Sequence, residues 1–126
     1  MKEVISTENA PAAIGTYSQA VKHGKTLYVS GQIPLDPATM EVVEGGIREQ
    51  INQVFKNLSA ICSAAGVGLD DTIKFNVYLT DLSNFPIVNE CMESLLITPY
   101  PARAAVEVSA LPKGVNVEVE AIVALP

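Results

Sequence analysis

The stretch from Pro99 to Leu125 reads PYPARAAVEVSALPKGVNVEVEAIVAL. Ala104, Val106, Val108 and Ala110 alternate with mostly polar positions in its first part, as do Val115, Val117, Val119, Ala121 and Val123 in its second. A two-residue period marks strands with one buried face. Between them, Leu111-Pro112-Lys113-Gly114 puts proline second and glycine fourth, as a type I turn prefers. The pattern predicts an antiparallel β-hairpin whose paired residue numbers sum to an odd value, because a slip by one sets apolar side chains against polar ones. Glu118 then lies opposite Ala105 or Glu107, on the face that carries Arg103. Alternate residues are about 6.6 Å apart, within reach of a guanidinium side chain.

Two readings of this pair stand side by side. Arg103 and Glu118 on a solvated hairpin face can form a surface ion pair worth at most about 1 kcal/mol. Alternatively, Arg103 follows Pro101-Ala102 at the entry to an apolar strand and is flanked by Ala104 and Ala105. Small neighbours leave room for a ligand, and a guanidinium offers paired donors to a carboxylate.

The composition narrows the classes. A chain of 126 residues is read as one domain, residues 1–126, with a single core. Hydrophobic residues make up 48% and charged ones 17%, so some apolar surface is expected to be buried between subunits. The formal net charge is −6 and no run of Lys or Arg occurs, which argues against nucleic acid as a partner. No leader-like or membrane-spanning run is seen, so no membrane partner and a soluble, cytoplasmic protein are expected. Cys62, Cys91 and the lone His23 do not make a metal site or a Cys/His dyad; no metal and no cofactor are expected. Cys62 reads as a buried structural thiol, and His23, beside Gly24, as an exposed turn residue.

Along the chain, residues 1–15 read as an irregular lead-in arm. Tyr17–Val21 and Thr26–Ser30 read as short strands in hairpin order. Gly31 after Ser30 is either an ordinary bulge or the small wall of a pocket rim. A short third strand is expected near Glu41–Val43. Ile47, Ile51, Val54, Phe55, Leu58, Ile61, Cys62 and Ala65 recur at helical spacing until Gly66. Thr72–Thr80 follows as a strand, with Ile73, Phe75, Val77 and Leu79 on one face. Asp81 or Ser83 can cap a second helix from about Asn84 to Leu96, with Phe85, Val88, Met92, Leu95 and Leu96 inward. Asn89 sits at the edge of that stripe, as a structural bond-maker or a ligand contact. This order predicts an α+β fold, a mixed sheet with both helices on one face. The bare face is expected to be buried against another subunit.

Four collinear motifs, NAPAAIGTYSQAV (9–21), YVSGQIPLDP (28–37), DLSNFPIVNE (81–90) and PARAAVEVSALPKGVNVEVEAI (101–122), resemble the reactive-intermediate deaminase family, the RidA or YjgF type, over essentially the whole chain. The resemblance implies a chorismate-mutase-like fold assembled as a homotrimer with clefts between subunits. It further implies cofactor-free hydrolysis of 2-imino acids such as 2-iminopropanoate and 2-iminobutanoate to 2-oxo acids and ammonia. By motif, the family's carboxylate-binding arginine falls on Arg103 and its water-positioning glutamate on Glu118. Its pocket tyrosine, serine–glycine rim and helix asparagine fall on Tyr17, Ser30, Gly31 and Asn89. The chain departs from the pattern at Ala105, where many members carry a cysteine; the backbone N–H there can still bind a carboxylate, but no thiol is present. Met92, Leu95 and Leu96 replace aromatic residues common in the second helix. The alternatives are a non-catalytic, regulatory trimer that binds small carboxylates, and a translation inhibitor or endoribonuclease, which the acidic charge disfavours.

Overall fold

A computed structural model describes residues 1–126. The strands are β1 (Glu3–Ile5), β2 (Ala20–His23), β3 (Thr26–Gln32), β4 (Thr72–Leu79), β5 (Ala102–Glu107) and β6 (Val117–Ala124); the helices are α1 (Ile47–Ala64) and α2 (Phe85–Leu95). They form one mixed sheet in the order β1-β2-β3-β6-β4-β5, with both helices packed into a single core on one face. The α+β expectation therefore holds.

The helices follow from their apolar spacing. Ile51, Val54, Phe55, Leu58, Ile61 and Cys62 of α1 are buried, as are Val88, Cys91 and Met92 of α2. Cys91, rather than Leu95, completes the inward stripe of α2, and Leu95 is exposed. Both 91 and 95 fall on the arc of 88 and 92; Leu95 is the last residue of α2 and is exposed at that end. Asp81 accepts a hydrogen bond from the Ser83 N–H, capping the 3₁₀ turn that leads into α2. Beneath the helices lie Leu27 and Val29 of β3, Phe75, Val77 and Leu79 of β4, and Val117, Val119, Ala121 and Val123 of β6. Phe55 meets Phe75 edge-on, centroids 5.6 Å apart.

The predicted hairpin of the C-terminal stretch is not formed. β5 pairs parallel to β4, with Arg103 opposite Phe75 and Ala105 opposite Val77, while β6 pairs antiparallel to both β3 and β4. β4 therefore separates the two strands. The cause lies in the connections: the α2 crossover returns β5 parallel to β4, and the slot between β3 and β4 offers β6 hydrogen bonds on both edges. The turn at Leu111–Gly114 does form, with Gly114 N–H donating to the Leu111 carbonyl at 3.2 Å. Lys113 takes φ +58° there, so the turn is not type I.

Pairing also resets the faces. Arg103 and Ala105 sit opposite the buried Phe75 and Val77, on the helix side, whereas Glu118 sits opposite Tyr78, on the bare side. Their expected common face within one chain is thus overturned. Ala104 and Val106, read as the buried arm, are exposed on the bare face.

Smaller departures have local reasons. The lead-in contains β1, paired to β2. Residues 41–43 make only an isolated bridge, Leu35 to Val42. Ile73 is turned outward and Thr72 inward because the register shifts between Thr72 and Lys74. Tyr17 precedes β2 rather than lying in a strand. Cys62 is buried and His23 exposed, as expected, and burial pushes the Cys62 thiol up to about 11. No helix is long and apolar enough to cross a membrane.

The arm is tied down by one side chain. Gln19 Nε2 donates to the carbonyls of Thr7, Ala10 and Pro11 at 3.0, 3.2 and 2.8 Å, and its Oε1 accepts from Thr7 N–H at 2.7 Å. Gln19→Ala strands these groups, and unpaired buried partners cost about 1–3 kcal/mol each. Urea unfolding is expected to show a loss of roughly 2–4 kcal/mol; a loss below about 0.5 kcal/mol would mean that water replaces the side chain.

Candidate active site

The structure divides the expected site residues into two groups. Arg103, Asn89 and Ala105 lie on the helix side; Glu118, Gly31, Ser30 and Tyr17 belong to the other half.

The first group is built by β5 against α2. Phe85, Asn89, Met92 and Leu96 follow spacings of four, three and four, so one face of the helix meets the edge strand. Arg103 Nη1 donates to Asn89 Oδ1 at 2.9 Å and approaches Met92 Sδ at 3.7 Å. The guanidinium carbon lies 4.6 Å from the Phe85 ring centroid. Asn89 Nδ2 in turn donates to Glu93 Oε1 at 3.3 Å. A cavity of about 340 Å³ opens here, lined by Asn89, Met92, Glu93, Leu96, Tyr100, Pro101 and Arg103.

Arg103 is in contact with neutral groups only. The ion pair in the chain is Arg48–Glu90, at 3.2 Å, so the surface-pair reading of Arg103 and Glu118 does not hold within the chain. With Nη1 engaged, the Nε–Nη2 edge remains for an anion, and a carboxylate fits such an edge with two parallel bonds. Val108 N–H donates to the Leu79 carbonyl at 2.8 Å. By the alternation of a parallel ladder, the N–H of Ala105 then points to the open edge of the sheet. It is a free donor beside the arginine.

The second group surrounds the middle of β6. The register of β3 against β6 shifts between Val29 and Gln32, so Gly31 sits in a bulge. A methyl group built on Gly31 would overlap the Glu118 carboxylate, which makes this glycine a notch shaped by close approach. Ser30 Oγ donates to the Ser18 carbonyl at 2.5 Å, and Ser30 shares a hollow with Tyr17, Ser18, Tyr28 and Glu120. Burial, then the neighbouring Glu120, raises the Glu118 pKa above the usual carboxylate value. Glu120 is held by Tyr78 Oη at 2.5 Å and Asn76 Nδ2 at 3.2 Å. That bond to Glu120, with some burial, pushes the Tyr78 hydroxyl up to about 12.

Several participants escaped the sequence reading. Phe85 and Met92 were placed only in the core, although their spacing with Asn89 already put all three on one helix face. Tyr78 and Glu120 needed the β4–β6 register, which periodicity does not supply.

Comparison with known proteins shows which family the chain resembles. The family model described as Endoribonuclease L-PSP matches residues 7–125. A RutC family protein of Pyrococcus horikoshii is 54% identical over 97% of each chain. The 2-iminobutanoate/2-iminopropanoate deaminase of Mus musculus is 48% identical over 97% of this chain and 90% of its own. The crystal structure of RidA from an Antarctic Psychrobacter superposes with a TM-score of 0.93 at 58% identity, covering 98% of this chain and 99% of that one. The fold and the sequence thus define a small α+β domain of one sheet and one helical layer, shared with these relatives. The chain belongs to the RidA/YjgF family.

Two outcomes follow from this geometry. Gly31→Ala is expected to keep the fold within about 1 kcal/mol, because the displaced group is the end of a flexible side chain, while moving the Glu118 carboxyl ¹³C resonance; an unmoved resonance would mean that the notch is not in contact. Tyr78→Phe is expected to cost about 1 kcal/mol at neutral pH, a modest figure because the pair is partly exposed. The folded-state pKa of Tyr78 is raised, so its contribution is complete below the unfolded value of about 10 and is lost as pH rises toward about 12. Urea titrations across that alkaline range are expected to show the two proteins converging. A gap that persists there would separate the stabilisation from the hydroxyl proton.

Proposed function

We propose that this protein is a hydrolytic deaminase of small 2-imino acids, releasing 2-oxo acids and ammonia, and that it acts as a homotrimer with its sites between subunits. Arg103 of one subunit and Glu118 of a neighbour form one centre. The observation that carries the reading is the division itself: a guanidinium held by neutral groups on one side of the sheet, and a carboxylate of raised proton affinity on the other. A second copy is the simplest source of the missing half. The exposed Val4, Tyr28 and Val106 on or beside the bare face support its burial in an assembly.

The chemistry needs a grip on the carboxylate, a water at the C=N carbon and a proton for the departing nitrogen. The Nε–Nη2 edge of Arg103 and the Ala105 N–H supply the grip. Glu118 takes a proton from water as its oxygen bonds to carbon, and the resulting carbinolamine receives that proton on nitrogen. The C–N bond then breaks, the C=O forms as the hydroxyl proton passes to Glu118, and ammonia leaves and takes that proton as ammonium. A raised pKa suits this role, since a carboxylate nearer neutrality both accepts and returns a proton. Tyr17, Ser30, Gly31 and Asn89 are the binding residues around these atoms. Spontaneous hydrolysis needs only modest help, so positioning accounts for much of the rate. No residue in this scheme needs a cofactor, and Ala105 leaves it without a thiol.

The family's endoribonuclease description gives a second reading, and the net charge of −6 weighs against it, since no basic face would hold a phosphate backbone. A regulatory trimer that binds small carboxylates would use Arg103 alone and leave Glu118 idle.

The test is release of 2-oxo acid from imines generated in situ. Glu118→Ala is expected to lower kcat by about 100-fold or more, and Arg103→Ala to raise KM. Coexpressing the two variants in equal amounts is expected to restore about a quarter of the sites, because random mixing of two chains places an intact Arg103 beside an intact Glu118 at that frequency. A wild type no faster than buffer ends the enzyme reading. Mixed assemblies that stay inactive end the shared site.

A further inference from the structure

We propose that Phe85 is a positioning residue for Arg103: its ring is the shelf on which the guanidinium is laid flat, so that the Nε–Nη2 edge faces the carboxylate of a bound ligand. This rests on the deaminase reading for the ligand's identity, but the positioning itself stands on the geometry of α2 and β5.

An arginine on an edge strand at the protein surface is free to swing, and ordering such a side chain costs rotamer entropy. Arg103 is exposed and has no carboxylate in contact to hold it. The groups that do touch it are all neutral and all come from one face of α2. Phe85 presents its ring 4.6 Å from the guanidinium carbon, within the range of an attractive cation–π contact. Asn89 and Met92 take the Nη1 corner. A ring at this distance restrains where the guanidinium lies, and the two Nη1 contacts restrain its rotation. The result is one free edge in one orientation.

Neutral holders matter chemically. A carboxylate holding Arg103 would compete with the ligand's own carboxylate and cancel part of its attraction. A ring and a thioether leave the charge available, and Arg is less strongly hydrated than an ammonium, so it stacks readily. Phe85 is itself half-buried and packs against the core, which anchors the shelf to the rigid part of the domain. It also lies one turn from Asn89, so tilting α2 would move shelf and hydrogen-bond partner together.

The experiment compares wild type, Phe85→Leu and Phe85→Tyr, with Arg103→Ala to assign the Arg103 Nε–Hε resonance in ¹⁵N-labelled protein. In wild type and Phe85→Tyr that resonance is expected to carry a ring-current displacement. In Phe85→Leu it is expected to move to the position of a free arginine, with Kd for the product-like probe 2-oxobutanoate rising about three- to tenfold, the range of a partly desolvated cation–π contact. In turnover, KM rises by a similar factor while kcat stays within about twofold, because a carboxylate grip acts alike on ground and transition states. A purely structural role for Phe85 would lower Tm without moving the Arg103 resonance or splitting KM from kcat. Should Phe85→Leu lose its fold, Phe85→Met, which fills a similar volume, serves for the same comparison. The proposal is overturned if a folded Phe85→Leu or Phe85→Met keeps the wild-type resonance, or if either binds 2-oxobutanoate as tightly as wild type does. If the resonance moves while wild type binds no 2-oxobutanoate and hydrolyses no imine, the shelf stands and the deaminase reading falls.

Discussion

The structure depends on where β6 lies. Val117–Ala124 fills the slot between β3 and β4 and pairs antiparallel with both, so its backbone is satisfied on two edges and its odd-numbered side chains enter the core. A strand has a period of two, and that single commitment decides every other face. Val117, Val119, Ala121 and Val123 close the core beneath α1; Glu118 and Glu120 are then fixed on the opposite side, against Tyr78 and Asn76. Without the slot, neither carboxylate would have a defined environment. The raised proton affinity of Glu118 is thus a consequence of a packing decision made by its valine neighbours.

What could be read from the chain follows from the reach of each signal. Helix α1 was legible because its apolar residues recur over five turns, and β6 because Val117, Val119, Ala121 and Val123 occupy every second position. Both patterns are local. The partner of β5 was not legible, because alternation says that a strand is half-buried but not which face or neighbour buries it. Ala104 and Val106 looked like the inward arm and are exposed; Arg103 and Ala105 looked polar or small and face the helices. The rule that favours adjacent pairing of consecutive strands failed because the α2 crossover had already placed β5 beside β4. Ile73 shows the same limit on a smaller scale, since a one-residue shift between Thr72 and Lys74 turned it outward.

Among the site residues, the motifs selected positions that the structure groups sensibly, but on two sides of one sheet. Asn89 bonds Arg103 directly, as its reading as a structural bond-maker has it, and its contact with a ligand belongs to the proposed site. Gly31 lies in a bulge, as one of its readings had it, and packs against the Glu118 side chain; its reading as a pocket rim belongs to the proposed site. Phe85 sits within the motif DLSNFPIVNE, yet its contact, like that of Tyr78, is not written in a motif, because each lies between elements: Tyr78 across a strand pair, Phe85 across a helix–strand seam. Such contacts are fixed by tertiary geometry, which a single sequence encodes only indirectly.

The division of the site also bears on the size of the domain. One sheet with one helical layer has a single core, and side chains around that core can line a pocket on the helix side, as Arg103 does, or lie on the bare side, as Glu118 does, but the sheet itself stands between them. In the proposed assembly, the apolar and aromatic side chains of the bare face are buried by neighbours, and the same contact removes water from Glu118 and brings it a guanidinium. The two groups then meet already prepared: the arginine without a competing carboxylate, the glutamate with its proton affinity raised by burial and by Glu120. Bringing them together would strengthen their attraction and draw the Glu118 pKa back down, so the contact must stop short of a closed ion pair for the carboxylate to remain a base. A ligand carboxylate on the Nε–Nη2 edge does this by taking the donors that Glu118 would otherwise bind. On this reasoning the anionic group of the substrate is more than a handle, since its binding is what leaves Glu118 free to act on water.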